Sequence, residues 1–235
     1  MNVFAIGDLH LSHTSNKPMH VFGVHWENHM DKIKAKWESN VTSEDIVLIP
    51  GDISWAMRLK EAGPDLEWLD ELPGHKICIR GNHDYWWDRP SPLNRKYQHT
   101  YFLQNTTYLV GEVAICGTRG WSIGEQVEKI EETEKMIARE CGRLKLSLDA
   151  ALKEKAKEIW VMIHYPPYVE DATTSPFIEL MKQYPVTKVI YGHLHDASSW
   201  EKAKIGEYEG IMYQLVSADY LDFKPLLIAR LEEEC

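Results

Sequence analysis

Nine residues with metal-binding or acid–base side chains stand where short apolar segments of the sequence end. They are Asp8, His10, Asp52, Asn82, His83, Asp84, His164, His193 and His195. The segments that end at them are VFAIG, DIVLIPG, KICIRG, IWVMI and KVIYG. Apolar runs of this length are typical of strands buried on both faces. Because ligands of open α/β sheets bind beyond the carboxyl ends of the strands, five such strands would bring these side chains to one edge.

The number and type of these side chains indicate a pair of metal ions. They are too many for one tetrahedral metal, whereas two octahedral ions would use them. Imidazole and carboxylate ligands without thiolate favour manganese, iron or zinc, and also nickel or cobalt, over calcium or magnesium alone. Two metals about 3.5–4 Å apart that share a carboxylate and a hydroxide are a common arrangement for in-line attack at phosphorus.

The same residues form five motifs that resemble those of the calcineurin-like metallophosphoesterase superfamily. The motifs are D-x-H from Asp8, G-D at Asp52, G-N-H-D from Gly81, the single His164, and G-H-x-H ending at His195. They follow the family's order and span most of the chain. The resemblance implies a dinuclear hydrolase of phosphate esters. It also implies an α/β fold of four layers, α/β/β/α, in which two mixed β-sheets pack face to face with helices outside.

The resemblance also implies a role for each residue. Seven would bind the metals: Asp8, His10 and His195 the first, Asn82, His164 and His193 the second, and Asp52 both. His83 would face the leaving group as proton donor or charge stabiliser. Asp84 would hold the other nitrogen of that imidazole, as carboxylates often do for functional histidines. Two dications, two carboxylates and a bridging hydroxide leave a charge of +1, which would attract a phosphate ester.

At two positions the sequence differs from better-known branches of this superfamily. Trp55 stands three residues after Asp52, where purple acid phosphatases have an iron-binding tyrosine. The segment GDISWAM also lacks the extended G-D-x-x-D-R-G motif of the protein serine/threonine phosphatases. The sequence therefore disfavours both of those branches.

The loop after the apolar segment VAICGT contains two further candidates. GWSIG, at residues 120–124, matches the nucleophile elbow of α/β-hydrolases and would make Ser122 a nucleophile. It is one short pattern against five ordered motifs, so we interpret it as coincidence. Arg119 is a candidate substrate-binding residue because a guanidinium can hold a phosphate with two hydrogen bonds. A surface arginine is the alternative.

Aromatic residues near the expected site allow a nucleotide as one candidate substrate. We favour packing roles for them, but an exposed indole face would also stack on a nucleobase. These residues are Trp55, Trp86, Trp87 and Trp121. His13 is close enough in sequence to touch a substrate. The other histidines, His20, His25, His29, His75 and His99, are interpreted as ordinary surface or core residues.

The elements around the motifs are typical of one α/β domain over residues 1–235. Short apolar segments alternate with helical periodicity, and no linker or repeat interrupts them. An early helix is predicted from the spacing of Trp26, Met30, Ile33 and Trp37. A charge-rich helical segment covers about 125–157, as one helix or as two that meet at Gly142. Its apolar face would comprise Val127, Ile130, Ile137, Leu144 and Leu148, and its charges would be solvated.

Composition limits the location and the partners. The chain has 26 basic and 36 acidic residues, a net charge of −10, so nucleic acid is an unlikely partner. We expect no membrane association, because there is neither a signal peptide nor a long apolar run. Cys78 and Cys116 fit buried thiols in a reduced, cytoplasmic protein. The oligomeric state stays open.

These observations predict a metal-dependent phosphohydrolase that cleaves a small phosphomonoester or phosphodiester by in-line attack of a metal-bridging hydroxide. Two alternatives remain. A metal-dependent nuclease would use the same site, although the acidic balance counts against it. A non-catalytic metal-binding scaffold would keep the fold, although every ligand position is filled here.

Overall fold

The computed structural model describes residues 1–15, 17–123, 130–168 and 174–231. In these ranges it contains two β-sheets and six α-helices. The strands are β1 (Asn2–Ala5), β2 (Ile46–Ile49), β3 (His75–Cys78), β4 (Thr100–Phe102), β5 (Tyr108–Val110), β6 (Val113–Thr118), β7 (Glu158–Ile163), β8 (Val186–Tyr191), β9 (Gly206–Tyr208), β10 (Ile211–Leu215) and β11 (Leu226–Arg230). The helices are α1 (His29–Glu38), α2 (Leu59–Glu71), α3 (Pro90–Lys96), α4 (Ile130–Lys153), α5 (Pro176–Met181) and α6 (Ala197–Glu201).

Both sheets are mixed, as expected. The first has the order β11-β1-β2-β3-β4, in which β1 to β4 are parallel and β11 is antiparallel to β1. The second has the order β5-β6-β7-β8-β10-β9, with four parallel strands between two antiparallel edges. The five apolar segments singled out in the sequence form β1, β2 and β3 in the first sheet and β7 and β8 in the second.

Strand β2 shows how the layers are built. Successive residues of a strand point to opposite faces of the sheet. Ile46 and Leu48 accordingly pack between the two sheets, whereas Val47 and Ile49 pack under the helices of the first sheet. A third core, which includes Leu144 of α4 and Phe177 of α5, covers the outer face of the second sheet. The four-layer α/β/β/α sandwich is therefore confirmed.

Helix α4 is continuous through Gly142. Its buried residues include Leu144, Leu148 and Ala151, and they pack in the core that covers the outer face of the second sheet. This packing outweighs the cost of one helical glycine, about 1 kcal/mol. Ile130, expected on the apolar face, is 61% exposed in the first turn. Residues 125–129, including Val127, lie outside the described residues.

Other expectations differ from the structure by small amounts. Helix α1 begins at His29, so Trp26 lies in a 3-10 turn before it, although its side chain is buried. Cys78 and Cys116 are buried, as expected. None of the helices in the described ranges has the length and apolar character needed to cross a membrane.

The packing of α4 predicts opposite results for two of its leucines. Leu148 is fully buried and Leu146 is 55% exposed. We expect Leu148→Ala to lower the free energy of unfolding in urea by about 2–5 kcal/mol because it leaves a cavity. Leu146→Ala should change it by less than about 0.5 kcal/mol. Equal losses would show that the buried face of α4 is assigned wrongly.

Candidate metal centre

The expected site residues lie in loops at the carboxyl ends of parallel strands from both sheets. The loops after β1, β2 and β3 contain Asp8 to His10, Asp52, and Asn82 to Asp84, and those after β7 and β8 contain His164 and His193 to His195. The two sheets meet at this edge, where the Gly7 N–H donates to the Val216 carbonyl at 2.7 Å. All nine residues thus come from one edge of the sandwich.

Four of these residues have left-handed backbone conformations. The φ angles are 55° at Asp8, 46° at His10, 51° at Asp52 and 74° at His193. For residues other than glycine such angles are uncommon, and strained positions of this kind cost about 1–3 kcal/mol each. Four of the ten such residues in the described chain lie at this one strand edge, which supports a functional role there, since strain persists where the surrounding structure imposes it.

Glycines in the motifs allow the loops to approach one another. A Cβ on Gly81 would overlap the carboxylate and backbone nitrogen of Asp52, and one on Gly192 would overlap Asp8 Oδ2. Gly51 has a φ of 96°, and a Cβ there would lie 2.6 Å from Gly81 Cα. The glycines of G-D, G-N-H-D and G-H-x-H are therefore needed for the two carboxylates to reach their positions.

Each of these carboxylates has one anchored oxygen and one without a partner. Asp8 Oδ2 accepts from the His193 N–H at 3.0 Å, and Asp52 Oδ1 accepts from the His83 N–H at 2.8 Å. Asp8 Oδ1 and Asp52 Oδ2 are buried and have no hydrogen-bond partner among the described residues. Burial, with the nearby charges of Asp84 and Asp8, raises the pKa of Asp52 well above its usual value. Unpaired buried oxygens are costly, and a cation between them would remove that cost.

One group of ligand atoms surrounds Asp8 Oδ1. His195 Nε2 lies 3.6 Å from this oxygen and 3.5 Å from His10 Nε2. His10 Nε2 lies 3.9 Å from Asp52 Oδ2. Asp8, His10 and His195 have the spacing of a metal-binding group.

A second group of ligand atoms lies near Asp52 Oδ2. His164 Nε2 lies 3.6 Å from that oxygen and 2.5 Å from Asn82 Oδ1. His193 Nδ1 lies 3.0 Å from Asn82 Oδ1 and 3.2 Å from His164 Nε2. Asp52 Oδ2 is thus near both groups, which is the position that a bridging ligand needs.

The state of His164 shows that this second group fits a metal. Its Nδ1 donates to the Pro50 carbonyl at 3.0 Å, and burial lowers its pKa to about 3. The ring is therefore neutral near pH 7, and Nε2 carries a lone pair directed at oxygens of Asn82 and Asp52. Acceptors that face one another in a buried site need a cation between them, and imidazole nitrogen with carboxylate and amide oxygen suits a divalent metal.

Asp219 is a site residue that the sequence reasoning missed. It is 7% exposed, and its Oδ1 accepts from His195 Nδ1 at 3.0 Å. Although burial opposes it, the hydrogen bond with Asp219 and the nearby charge of Asp8 raise the pKa of His195 to about 10. This carboxylate fixes the ring so that Nε2 faces the metal group. Asp219 follows β10 just as the other site residues follow their strands, so the same rule applied to the apolar segment before it would have found it.

The role expected for Asp84 is wrong. Its carboxylate does not hold His83 but accepts four hydrogen bonds of 2.8 to 3.2 Å, from the backbone N–H groups of Gly81, Ile53 and Ser54 and from the indole of Trp86. These donors occupy both oxygens of a side chain that is fully buried. Asp84 therefore joins the loops after β2 and β3 and does not reach a substrate.

His83 stands beside both metal groups with its ring partly exposed. Its ring centroid lies 4.3 Å from that of Trp55 and 5.8 Å from that of His10. Burial, helped by His193 and Lys17, lowers its pKa to about 4, so the ring is neutral near pH 7. In the described structure its imidazole nitrogens have no hydrogen-bond partner and are available to a ligand.

Arg119 and Ser122 gain no direct support as functional residues. The Arg119 carbonyl accepts from the His164 and Tyr165 N–H groups, so its backbone borders the site. Its guanidinium, however, lies 3.4 Å from Glu140 and stacks on Trp121. Substrate binding by Arg119 stays a prediction. No hydrogen bond links Ser122 to a histidine among the described residues, and Gly124 of its motif lies outside them.

Most of the aromatic residues pack inside the protein. Trp55, Trp86 and Trp87 are at most 7% exposed, which confirms their packing roles. Trp121 is half-buried and is the one of the four that a ring could reach. His13 is paired with Asp65 of α2 at 2.7 Å, so a substrate contact by His13 has no support.

The hydrogen bond between Asp219 and His195 predicts a loss of metal affinity without a loss of the fold. We expect Asp219→Asn to weaken Mn²⁺ binding, measured by calorimetric titration, by about 10–100-fold, since the ring loses its orienting carboxylate. Asp222→Asn is the matched control, because Asp222 lies three residues away and its side chain is 87% exposed. If the two variants bind Mn²⁺ equally well, Asp219 does not support the centre.

The contact at Gly192 predicts opposite effects of the same substitution at two glycines. Gly192→Ala should lower the free energy of unfolding by about 1–3 kcal/mol, because the new Cβ overlaps Asp8. A Cβ at Gly142 of α4 would meet no other atom within 4 Å. Gly142→Ala should therefore raise the free energy of unfolding by about 0.5–1 kcal/mol. Urea denaturation of both variants measures the difference. A stabilised Gly192→Ala variant would contradict the close approach described here.

Comparisons with known proteins agree with this geometry. A family model of the calcineurin-like phosphoesterases matches residues 1–197. The Gene 66 proteins of Mycobacterium phages L5 and D29 are 34% and 35% identical over 94 and 95 residues, 40% of this chain in each case. The chain spans less than half of these relatives, 43% and 44% of their lengths.

Two solved structures align with most of this chain. The alignment with a protein of unknown function from Aquifex aeolicus covers 96% of this chain and 95% of that protein, with 14% identity and a TM-score of 0.45. The alignment with the phosphopantetheinyl hydrolase PptH from Mycobacterium tuberculosis covers 92% of this chain and 88% of PptH, with 18% identity and a TM-score of 0.49. The family match over most of the chain is the finding that decides: the protein belongs to the calcineurin-like phosphoesterases.

Proposed function

We propose that this phosphoesterase hydrolyses a small phosphomonoester or phosphodiester at a centre of two divalent metal ions. The observation that carries the proposal is a pair of buried oxygens, Asp8 Oδ1 and Asp52 Oδ2, that have no hydrogen-bond partner in the described part of the chain and lie within 3.9 Å of imidazole nitrogens. A site of this kind has no use in packing, since an apolar or hydrogen-bonded arrangement would cost less. Family membership supplies the reaction class.

Seven residues would hold the metals. Asp8, His10 and His195 would bind one ion, Asn82, His164 and His193 the other, and Asp52 both. Manganese, iron and zinc are the candidates, because imidazole, amide and carboxylate ligands suit them. Bound there, the ions supply positive charge for the phosphate and lower the pKa of a water molecule.

The chain's own residues would orient the substrate. The neutral imidazole of His83 can donate a hydrogen bond to the phosphate or to the leaving oxygen, and such a donor stabilises developing charge best when it is held in place. Its backbone is held in place by the bond from its N–H to Asp52, and its ring by contact with Trp55. His83 therefore stays in one position relative to the bridging carboxylate.

Charge supports a small anionic substrate over a polymer. The chain has a net charge of −10, which repels a nucleic-acid backbone. A small phosphate ester needs only the local positive charge of the metal-filled cleft. A cytoplasmic location, expected from the sequence, stays a prediction.

The position of His83 predicts a loss of turnover that is separate from metal binding. We expect His83→Ala to lower kcat by about 10²–10³-fold on chromogenic phosphate esters while two ions stay bound, because the ring donates a hydrogen bond to the reacting group but binds no metal. The protein would be stripped, refilled with Mn²⁺ and assayed with a monoester and a diester. His99→Ala is the control, since that side chain is exposed and lies near the far ends of the strands.

Three outcomes would count against these assignments. If His83→Ala loses metal in proportion to activity, His83 is a ligand. If it keeps wild-type turnover, His83 does not stabilise the reacting group. If wild-type protein binds two ions but hydrolyses neither ester, the scaffold alternative gains support.

A further inference from the structure

Three arginines gather where the ends of β3 and β6 meet beside the metal centre. Arg80 follows β3, Arg119 follows β6 and Arg143 lies on α4. The two strand ends are in contact, since a Cβ on Gly117 would lie 2.9 Å from Ile79 Cγ2. Burial, and then the nearby charges of Arg119 and Arg143, lower the pKa of the Arg80 guanidinium, which stays charged near pH 7. The three side chains therefore form one positive cluster in a protein with a net charge of −10.

A single carboxylate, that of Glu140, pairs with two of these arginines. Arg143 Nη1 lies 2.6 Å and Arg119 Nη2 lies 3.4 Å from Glu140 Oε1. The other oxygen, Oε2, accepts a hydrogen bond from Thr118 Oγ1. Both oxygens of this fully buried side chain are thus in use, so Glu140 offers Arg80 a negative charge but no hydrogen bond.

Arg80 is the member of the cluster without a partner of its own. In the described part of the chain its side chain makes no hydrogen bond or salt bridge, and its Nε is buried without an acceptor. The carboxylates of Asp84 and Glu140 act on it only from a distance. Asp84 cannot turn to it, because four N–H donors hold both oxygens of that carboxylate. An enclosed donor without an acceptor is costly, and an anionic ligand would remove that cost.

The cluster borders the second metal group. Arg80 stands two residues before Asn82, and the Arg119 carbonyl accepts the N–H of His164 at 3.1 Å. Asn82 Oδ1 and His164 Nε2 lie 2.5 Å apart in that group. The Arg80 side chain is half-buried, so a ligand can reach it. A group that lies a few bonds away from a phosphate at the centre would therefore be near Arg80.

A guanidinium selects oxyanions. Its planar N–H groups match two oxygens of a carboxylate or of a phosphate, and such charge-assisted hydrogen bonds are stronger than neutral ones. We propose that Arg80 binds a second oxyanionic group of the substrate, a carboxylate or a phosphate, while the metals hold the phosphate that is cleaved. This inference rests on the proposed function for the position of that phosphate.

Phosphonates, which are not hydrolysed, test the proposal independently of turnover. Calorimetry with Mn²⁺-loaded protein, dialysed free of excess metal, would compare butylphosphonate, 4-phosphonobutyrate and propane-1,3-diylbisphosphonate. These ligands differ in the group that follows three methylenes, which is a methyl, a carboxylate or a second phosphonate. At least one of the two with a second oxyanion should bind about tenfold more tightly than butylphosphonate, the gain of one charge-assisted hydrogen bond at a half-exposed position. The tighter of the two identifies the group that Arg80 selects.

Substitutions assign this preference to a side chain. Arg80→Gln should abolish it and leave the affinity for butylphosphonate unchanged. Arg80→Lys keeps the charge without the planar fork and should retain a preference of about threefold. Arg89→Gln is the matched control and should keep the full preference, because Arg89 lies nine residues further along the chain and its side chain is 81% exposed.

The outcomes separate this proposal from the proposed function. Equal affinity for all three ligands, or a preference that survives Arg80→Gln, would overturn the role of Arg80 even if esters are hydrolysed. A loss of affinity for butylphosphonate in Arg80→Gln would place Arg80 at the phosphate held by the metals and overturn the second subsite. A preference that depends on Arg80 in a protein without turnover would support the subsite while the hydrolase proposal fails.

Discussion

The carboxylates of Asp8 and Asp52 impose the constraint on which the rest of the site depends. Both are buried. One oxygen of Asp8 accepts the N–H of His193, from a loop of the other sheet, and one oxygen of Asp52 accepts the N–H of His83, from the loop after the neighbouring strand. This fixes the direction of the other oxygen, which has no partner among the described residues. The glycines at 81 and 192 leave room for these contacts, and the left-handed backbone at both aspartates turns their side chains inward.

The sandwich supplies the rigidity that such a site requires. Four residues with left-handed backbone and two buried oxygens that lack a partner in the described structure oppose folding by several kcal/mol, which is large beside the net stability of about 5–15 kcal/mol that is usual for proteins. Three hydrophobic cores, one between the sheets and one under each helical layer, offset that cost. Because the site residues directly follow strands that these three cores hold in place, the site residues cannot relax individually. A bound cation would add stability through mass action, since it binds only the folded arrangement.

The strand ends and the motif positions could be predicted from the sequence because the pattern of apolar runs determines where each chain segment reaches the sheet edge. The direction in which each side chain points beyond the end of its strand could not be predicted in this way. His83 and Asp84 are neighbours, yet one ring faces the cleft and the other side chain turns back to four N–H donors. Asp219 was missed because its strand, β10, was not among the apolar runs considered. Glu140, in a helix whose charges were expected to be solvated, is fully buried.

Glu140 shows how α4 and the second sheet position loops of the site. It accepts from Thr118 Oγ1 at 2.5 Å and pairs with Arg119 and Arg143, so α4 holds the loop after β6 in place. The carbonyl of Arg119 in turn accepts the N–H groups of His164 and Tyr165. The second sheet thus positions His164, His193 and His195, whereas the first supplies the carboxylates of Asp8 and Asp52 and the imidazole of His83. Changes in second-sheet loops that leave Gly192 and His193 in place can therefore alter the surroundings of the site without moving Asp8 or Asp52, which is how one scaffold can serve different substrates.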